Sequence, residues 1–290
     1  MEQAAEDVRA SRALALASLA VFAVFLDTTA LFVAFPSISE TYSQATPSQL
    51  SWILNAYTIT VAALLIPAGK VADRIGHKRG FLTGSSIFTV GSVLCAFAPS
   101  AAILVAFRIV QATGAAMLMP SSLALILRAF PPARIPSAIA IWGATGAAAG
   151  ALGPTLAAAI IEYADWPWVF LINLPIGIVT LILGRRYLTE STAENVSMPA
   201  ARGVLLIASA AALIALSLVE GRGWGWTSAR TLTTFAAGTL LLGVFIIDQR
   251  HSRAPVLDLD MFQKRNFRWG NLAAMAFGAA FSAMFLGSIL

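Results

Sequence analysis

Two residues in this chain of 290 carry formal charge deep inside long apolar stretches, Asp27 and Arg108. A carboxylate within reach of water can take and release a proton, and a guanidinium beside it biases which form is held. Each charge costs about 2.5–3.5 kcal/mol at the centre of a membrane-spanning helix, so each needs a partner or water. The two histidines, His77 and His251, fall in basic polar segments, and no nucleophile–base or metal spacing is present. Proton exchange is therefore the chemistry these residues support, and the sequence reads as a non-enzyme with no cofactor.

The stretch around Arg108 adds a second set of groups. At helical spacing Arg108, Gln111, Ala115, Met119 and Ser122 share one face. A cation, an amide, a flexible thioether and small groups suit a tolerant substrate cavity, although such a stripe also serves ordinary helix packing. Further on, Gly143, Gly146, Gly150, Gly153 and Ala157 recur on one narrow face. Small residues in that pattern let a neighbouring helix approach closely. Pro154 removes one backbone donor from the same helix and kinks or softens it.

Composition fixes the surroundings. Hydrophobic residues form 58% of the chain and charged residues 11%, against roughly 45–50% and about 25% in soluble domains. A hydrocarbon core about 30 Å thick needs roughly 20 apolar residues per helix. Spans are expected near 13–36, 49–69, 80–98, 101–129, 136–161, 168–187, 203–220, 232–249 and 269–290. The first is too long for a cleaved signal peptide and carries Asp27 well inside. The single Cys95 lies in an apolar run, so no disulfide can form within the chain.

With a cytoplasmic N-terminus, sixteen Lys and Arg residues fall on inner segments and only Arg222 and Arg230 on outer ones. That is a strong positive-inside bias. The net charge of +5 is then topological, serving orientation and anionic lipid headgroups, with no nucleic-acid partner. Depth follows from the same topology. At 1.5 Å per residue, Asp27 lies roughly 21 Å from the inner start of its helix and Arg108 roughly 11 Å from the outer start of an oppositely directed one. Both therefore sit in the outer half of the membrane. We expect them to face one aqueous cavity and to interact there, directly or through water. A structural buried pair, or two unrelated snorkelling groups, is the alternative; neutralising either residue would then impair folding rather than coupling.

The expected organisation is a tail over 1–12, a six-helix bundle over 13–187, a cytoplasmic linker over 188–202, two further helices over 203–249, a cytoplasmic connection over 250–268 and a last helix over 269–290. Between the second and third spans, Gly69 to Gly80 form a charged loop whose glycines allow a tight reversal. Asp73 in that loop can accept bonds from helix-terminal amides.

That loop resembles the signature G-x-L-A-D-R-x-G-R-K of the major facilitator superfamily, with Val71 for Leu and His77 for the first basic residue. Arg108 to Gly114 resemble its fourth-helix motif R-x-x-Q-G-x-G, with Ala112 for Gly. Gly153-Pro154 resemble the start of the antiporter signature G-P-x-x-G-G, with Ala157 and Ala158 for its last glycines. Leu26 to Pro36 and Trp166 to Gly177 resemble L-D-x-T-I-V-N-V-A-L-P and W-R-W-I-F-L-I-N-V-P-I-G of the fourteen-helix drug:proton antiporter branch. The departures include Phe32 for Val and Pro167 for Arg. The polar stretch from Ala254 to Leu259 resembles that branch's lead-in to the next helix.

The resemblance implies an all-α polytopic membrane protein: a six-helix bundle of two inverted three-helix repeats, two inserted helices, and the first helix of an incomplete second bundle. It implies proton-driven export of small amphipathic compounds across the cell membrane, with protons, a small-molecule substrate and membrane lipids as partners. Asp27 and Arg108 fall in its coupling region. Gly69, Asp73, Arg74, Gly76, Lys78 and Arg79 would gate the cytoplasmic side against the other bundle, as a latch paired in one state and released in another. A solvated turn that only fixes topology is the alternative for that loop. Alternating access needs a second bundle to rock against the first, so the sequence reads as a partial chain needing that bundle in cis or trans. The competing reading is a membrane-embedded binding or assembly protein without turnover.

Overall fold

The computed structural model of the chain describes residues 2–191, 200–252, 255–257 and 259–289. Ten α-helices run through these residues: α1 (Glu2–Thr41), α2 (Pro47–Ile75), α3 (His77–Ala96), α4 (Ala101–Ala129), α5 (Ile135–Tyr163), α6 (Pro167–Leu171), α7 (Asn173–Tyr187), α8 (Ala201–Trp224), α9 (Ala229–His251) and α10 (Arg265–Ile289). Short 3-10 turns at Pro132–Arg134 and Leu259–Gln263 precede α5 and α10. Among the described residues seven helical stretches are long and apolar enough to cross a membrane, the α6–α7 pair counting as one. The third and ninth expected spans, α3 and α10, are not among them. The glycines and hydroxyl residues of α3 lower its apolarity, and they serve packing instead.

Helix starts follow local chemistry. Thr46 and Gln49 form a reciprocal capping box at α2, with Pro47 next to the cap. That arrangement satisfies two orphan donors at once. Ser100 and Ser228 cap α4 and α9 through their hydroxyls.

Three expected boundaries differ. The tail over 1–12 is helical from Glu2 as part of α1. The charged loop contracts to one residue, Gly76, because α2 runs to Ile75 and α3 begins at His77. Helices persist past the apolar stretch because polar residues hydrogen-bond their own backbones equally well in water. Finally, the sixth span divides at Ile172 into α6 and α7. Pro175 has no N–H to offer the Leu171 carbonyl four residues back, which is where α6 ends. Within the expected linker, 192–199 lie outside the described residues, as do Arg253, Ala254, Asp258 and Leu290.

Close helix contacts depend on missing side chains. A Cβ on Gly91 of α3 would lie 2.6 Å from Cα of Gln111 on α4, and one on Gly114 of α4 would overlap the backbone N of Phe88. These two glycines bring the α3 and α4 backbones together. On the other side, Gly146, Gly150 and Gly153 of α5 face Val21, Phe25 and Thr29 of α1. Gly143 has open space instead, so the α5 seam works from Gly146 to the buried Ala157. Two apolar clusters fill the bundle, one around Leu31, Ile38, Ile53, Leu104 and Phe170, the other around Tyr57, Phe81, Phe88, Leu118 and Leu125. The helices α8 and α9 pair with each other, and α8 also packs on α2.

Candidate functional site

Asp27 and Arg108, 81 residues apart, meet directly. Nη1 of Arg108 donates to Oδ2 of Asp27 at 2.6 Å. Each side chain is 1% exposed, so the pair is packed inside the bundle rather than facing an open aqueous cavity. Removing one partner of such a buried pair typically costs about 3–5 kcal/mol, because the other charge is left unpaired.

The rest of the shell comes from helices α2, α3, α4 and α7. Gln111, one turn from Arg108 on α4, accepts from Nη1 of Arg108 at 2.6 Å through Oε1. Its Nε2 donates to Oδ1 of Asp27 and to Oγ of Ser92, both at 2.7 Å. Asn173, the first residue of α7, donates through Nδ2 to the same Oδ1 at 2.9 Å and to Ser92 at 3.3 Å. Nε of Arg108 donates to the Ile53 carbonyl at 3.3 Å. The guanidinium carbon also lies 4.0 Å from the ring centroid of Tyr57, a cation–π contact that strengthens away from water. The carboxylate thus receives three side-chain donors, and its cation is held independently by an amide, a carbonyl and an aromatic face.

The predicted substrate stripe is closed in this conformation. Gln111, Ala115 and Ser122 are fully buried, and Met119 packs against the cluster around Phe88. Ser122 accepts from Nε1 of Trp142 at 3.2 Å and donates to the Met119 carbonyl. This face is occupied by side chains of α1, α3 and α5. Helical spacing identifies which residues share a face, but the placement of neighbouring helices decides whether space lies in front of it. Two larger cavities lie at opposite ends of the bundle, one of about 550 Å³ beside Arg9, Arg128 and Arg134 and one of about 590 Å³ beside Tyr42, Gln49 and Trp52. Neither is lined by the stripe.

At the α2–α3 turn the six predicted gating residues are placed around Gly76, whose φ is +104°. Gly69 abuts Pro120 of α4, while Arg74 and Arg79 are exposed. Asp73 does not cap helix amides. It belongs to the last turn of α2, where the free backbone groups are carbonyls, and it lies 3.9 Å from Nδ1 of His77. Burial pushes His77 below its ordinary range, and the nearby Asp73 carboxylate opposes that shift.

Glu190 performs the capping instead. Its carboxylate accepts from the backbone N–H groups of Lys78 and Arg79 at 3.1 and 3.3 Å and lies 3.7 Å from Nε of Arg79. The Ser191 carbonyl accepts from the His77 N–H at 3.1 Å, and Nζ of Lys78 donates to the Arg185 carbonyl at 2.9 Å. A negative group at a helix N-terminus meets the positive end of the dipole. Gly76→Ala would place a methyl against the Glu190 carboxylate in a backbone region nearly closed to other residues, and should cost about 1–3 kcal/mol. A lowered midpoint of thermal unfolding in detergent would show this.

A family model of the Major Facilitator Superfamily matches residues 17–290. The chain belongs to the major facilitator superfamily. The methylenomycin A resistance protein of Streptomyces coelicolor is 37% identical over 265 residues, covering 90% of this chain and 55% of that protein. The multidrug efflux pump LfrA of Mycolicibacterium smegmatis is 36% identical, with 91% and 52% covered. The tetracenomycin C resistance and export protein of Streptomyces glaucescens is 33% identical, with 85% and 46% covered. This major facilitator chain spans about half the length of the curated relatives it matches, and their names are consistent with the drug-transporting branch its motifs resemble. Among solved structures, the human organic anion transporter MFSD10 matches with a TM-score of 0.57 at 17% identity, over 77% of this chain and 59% of that one. A peptide transporter POT in complex with sulfate matches at 0.59 and 14% identity, over 84% and 53%. Those two show the shared fold.

Asn173, Ser92, Tyr57 and Glu190 were not singled out by sequence reasoning. Asn173 had a usable signal: an amide inside an apolar run, two residues before a proline. Glu190 had none, since it lies 112 residues from the amide it caps.

Proposed function

We propose that this chain is the first bundle, with two added helices, of a proton-coupled exporter of small amphipathic compounds in the cell membrane. The buried Asp27–Arg108 pair, ringed by amides in a major facilitator fold, is the observation that carries the reading. Relatives named for methylenomycin A resistance, tetracenomycin C export and multidrug efflux support its direction and substrate class. In this reading Asp27 is the proton carrier. When it is protonated its attraction for Arg108 weakens, and the guanidinium retains Gln111, the Ile53 carbonyl and the Tyr57 face as partners. The bundle then trades one charged contact for neutral ones, which lets helices α1 and α4 separate toward a substrate-accepting state lined by Gln111, Ala115, Met119 and Ser122.

The basic end of the bundle is cytoplasmic in this reading, as is the N-terminus. Gly69, Asp73, Arg74, Gly76, Lys78 and Arg79 meet a second bundle there, supplied in cis or trans, while the α5 seam (Gly146, Gly150, Gly153 and Pro154) slides on α1, with Gly143 lying beyond the contact. The test is accumulation of an amphipathic cationic dye by everted vesicles containing the complete reading frame that carries this chain. Proton-driven uptake that a protonophore abolishes supports the proposal. Dye binding without uptake refutes it and favours a non-transporting binding protein.

A further inference from the structure

Asp27 alternates, in the function proposed above, between a carboxylate that accepts hydrogen bonds and a carboxylic acid that must donate one. The structure shows the accepting state fully served, by Arg108, Gln111 and Asn173. Among the groups hydrogen-bonded into this cluster, it also shows which acceptor is free for the other state; the Tyr57 hydroxyl is likewise buried without a partner but makes no hydrogen bond to Asp27 or its ligands. Oε1 of Gln111 already receives Nη1 of Arg108, with the Cys95 thiol 3.7 Å away. Oγ of Ser92 already receives the Gln111 and Asn173 amides. Oδ1 of Asn173 is buried without any hydrogen-bond partner, on a side chain that is 0% exposed. Leaving an amide oxygen unpaired costs about 1–3 kcal/mol, and the group beside it is the one whose hydrogen-bonding sense must reverse.

We propose that Asn173 is the positioning residue for the Asp27 proton, with its amide turning over as the carboxyl is protonated. In the ionised state Nδ2 donates to Oδ1 of Asp27. In the protonated state a half-turn of the amide presents Oδ1 as acceptor for the new O–H. No covalent bond changes; one proton arrives on Asp27 and one hydrogen bond reverses direction. The charged and titratable groups facing this exchange are Arg108 from α4, Tyr57 from α2 and Cys95 from α3. From α7 the facing group is the Asn173 amide itself, set at the break after Ile172.

This inference rests on Asp27 being the proton carrier, and infrared difference spectroscopy separates the two claims. The chain is reconstituted in liposomes and taken through a pH series. The carboxylic-acid carbonyl band that Asp27→Asn removes reports the proton on Asp27. Asn173→Leu, which keeps volume but neither donates nor accepts, should move the midpoint of that band by about one pH unit, the scale expected when a hydrogen bond to an ionisable group is lost. Asn173→Ser, which keeps both functions, should restore most of the difference. With isotope-labelled asparagine, of which the chain has five, the amide carbonyl band that Asn173→Ser removes should change in the unmutated chain in step with the Asp27 band. An Asp27 band with the same midpoint in all three chains, and an asparagine band indifferent to it, would overturn the role of Asn173 alone. If no Asp27 band is found at any pH, the proton-carrier reading fails, and this proposal with it.

Discussion

Asp27→Asn is expected to reduce proton-driven efflux at least ~100-fold, equivalent to about 2.7 kcal/mol in the coupled barrier, while substrate exchange at equal pH continues. The asparagine keeps the volume and one acceptor oxygen but has no exchangeable carboxyl proton. The retained contacts of Arg108 with Gln111, Ile53 and Tyr57 should offset part of the about 3–5 kcal/mol cost of losing one partner of a buried pair. Folded yield therefore falls, but enough protein assembles for flux to be scored per folded molecule. That separation of coupling from assembly distinguishes a working proton carrier from a structural ion pair. A structural pair predicts loss of folded protein in the membrane, with coupling unchanged per molecule that assembles. Quantifying the variant in membranes alongside counterflow and proton-driven flux decides between them.

Gly114→Leu should act on assembly itself, by forcing two helices apart. A Cβ at that position overlaps the Phe88 backbone, and the carbonyl of Gly84 is close as well. Backbone cannot rotate aside as a side-chain tip can, so α3 and α4 must separate. Overpacking in well-filled cores typically costs about 1–3 kcal/mol, and contact with backbone on both sides places this case at the upper end. The polar shell should fail with it, since Ser92 reaches Gln111 only because Gly91 lets the helices touch. Loss of folded yield and of protease resistance in detergent would report the change. Gly143→Leu is the matched control, because nothing lies within 4 Å of its Cβ position.

The sequence carried the Asp27–Arg108 meeting because membrane thickness acts as a ruler. Two charges at the same depth on opposed helices have few places to go, and the 2.6 Å contact agrees with that arithmetic. The α5 seam was legible for a similar reason, since glycines at helical spacing mark close approach, although Gly143 extends the pattern past the contact itself. The closed state of the Gln111–Ser122 face was not legible. Residue types on a face do not determine whether the neighbouring helix is near or far, and in an alternating machine both arrangements occur.

Helix ends were misplaced around Gly76 for a different physical reason. Hydropathy reports where lipid begins, whereas α2 and α3 continue as helices into water. Asn173 carries no formal charge, yet an amide inside an apolar run must also find partners. Glu190 caps α3 from the far side of four intervening helices, a relationship that only the folded chain contains.

The central claim is that Asp27 exchanges a proton when substrate binds. The most direct measurement is the pH change of a weakly buffered solution when an amphipathic cationic dye is added to the purified product of the complete reading frame. The account predicts proton release from the unmodified protein and none from Asp27→Asn at matched dye occupancy. Equal release from both proteins would contradict it.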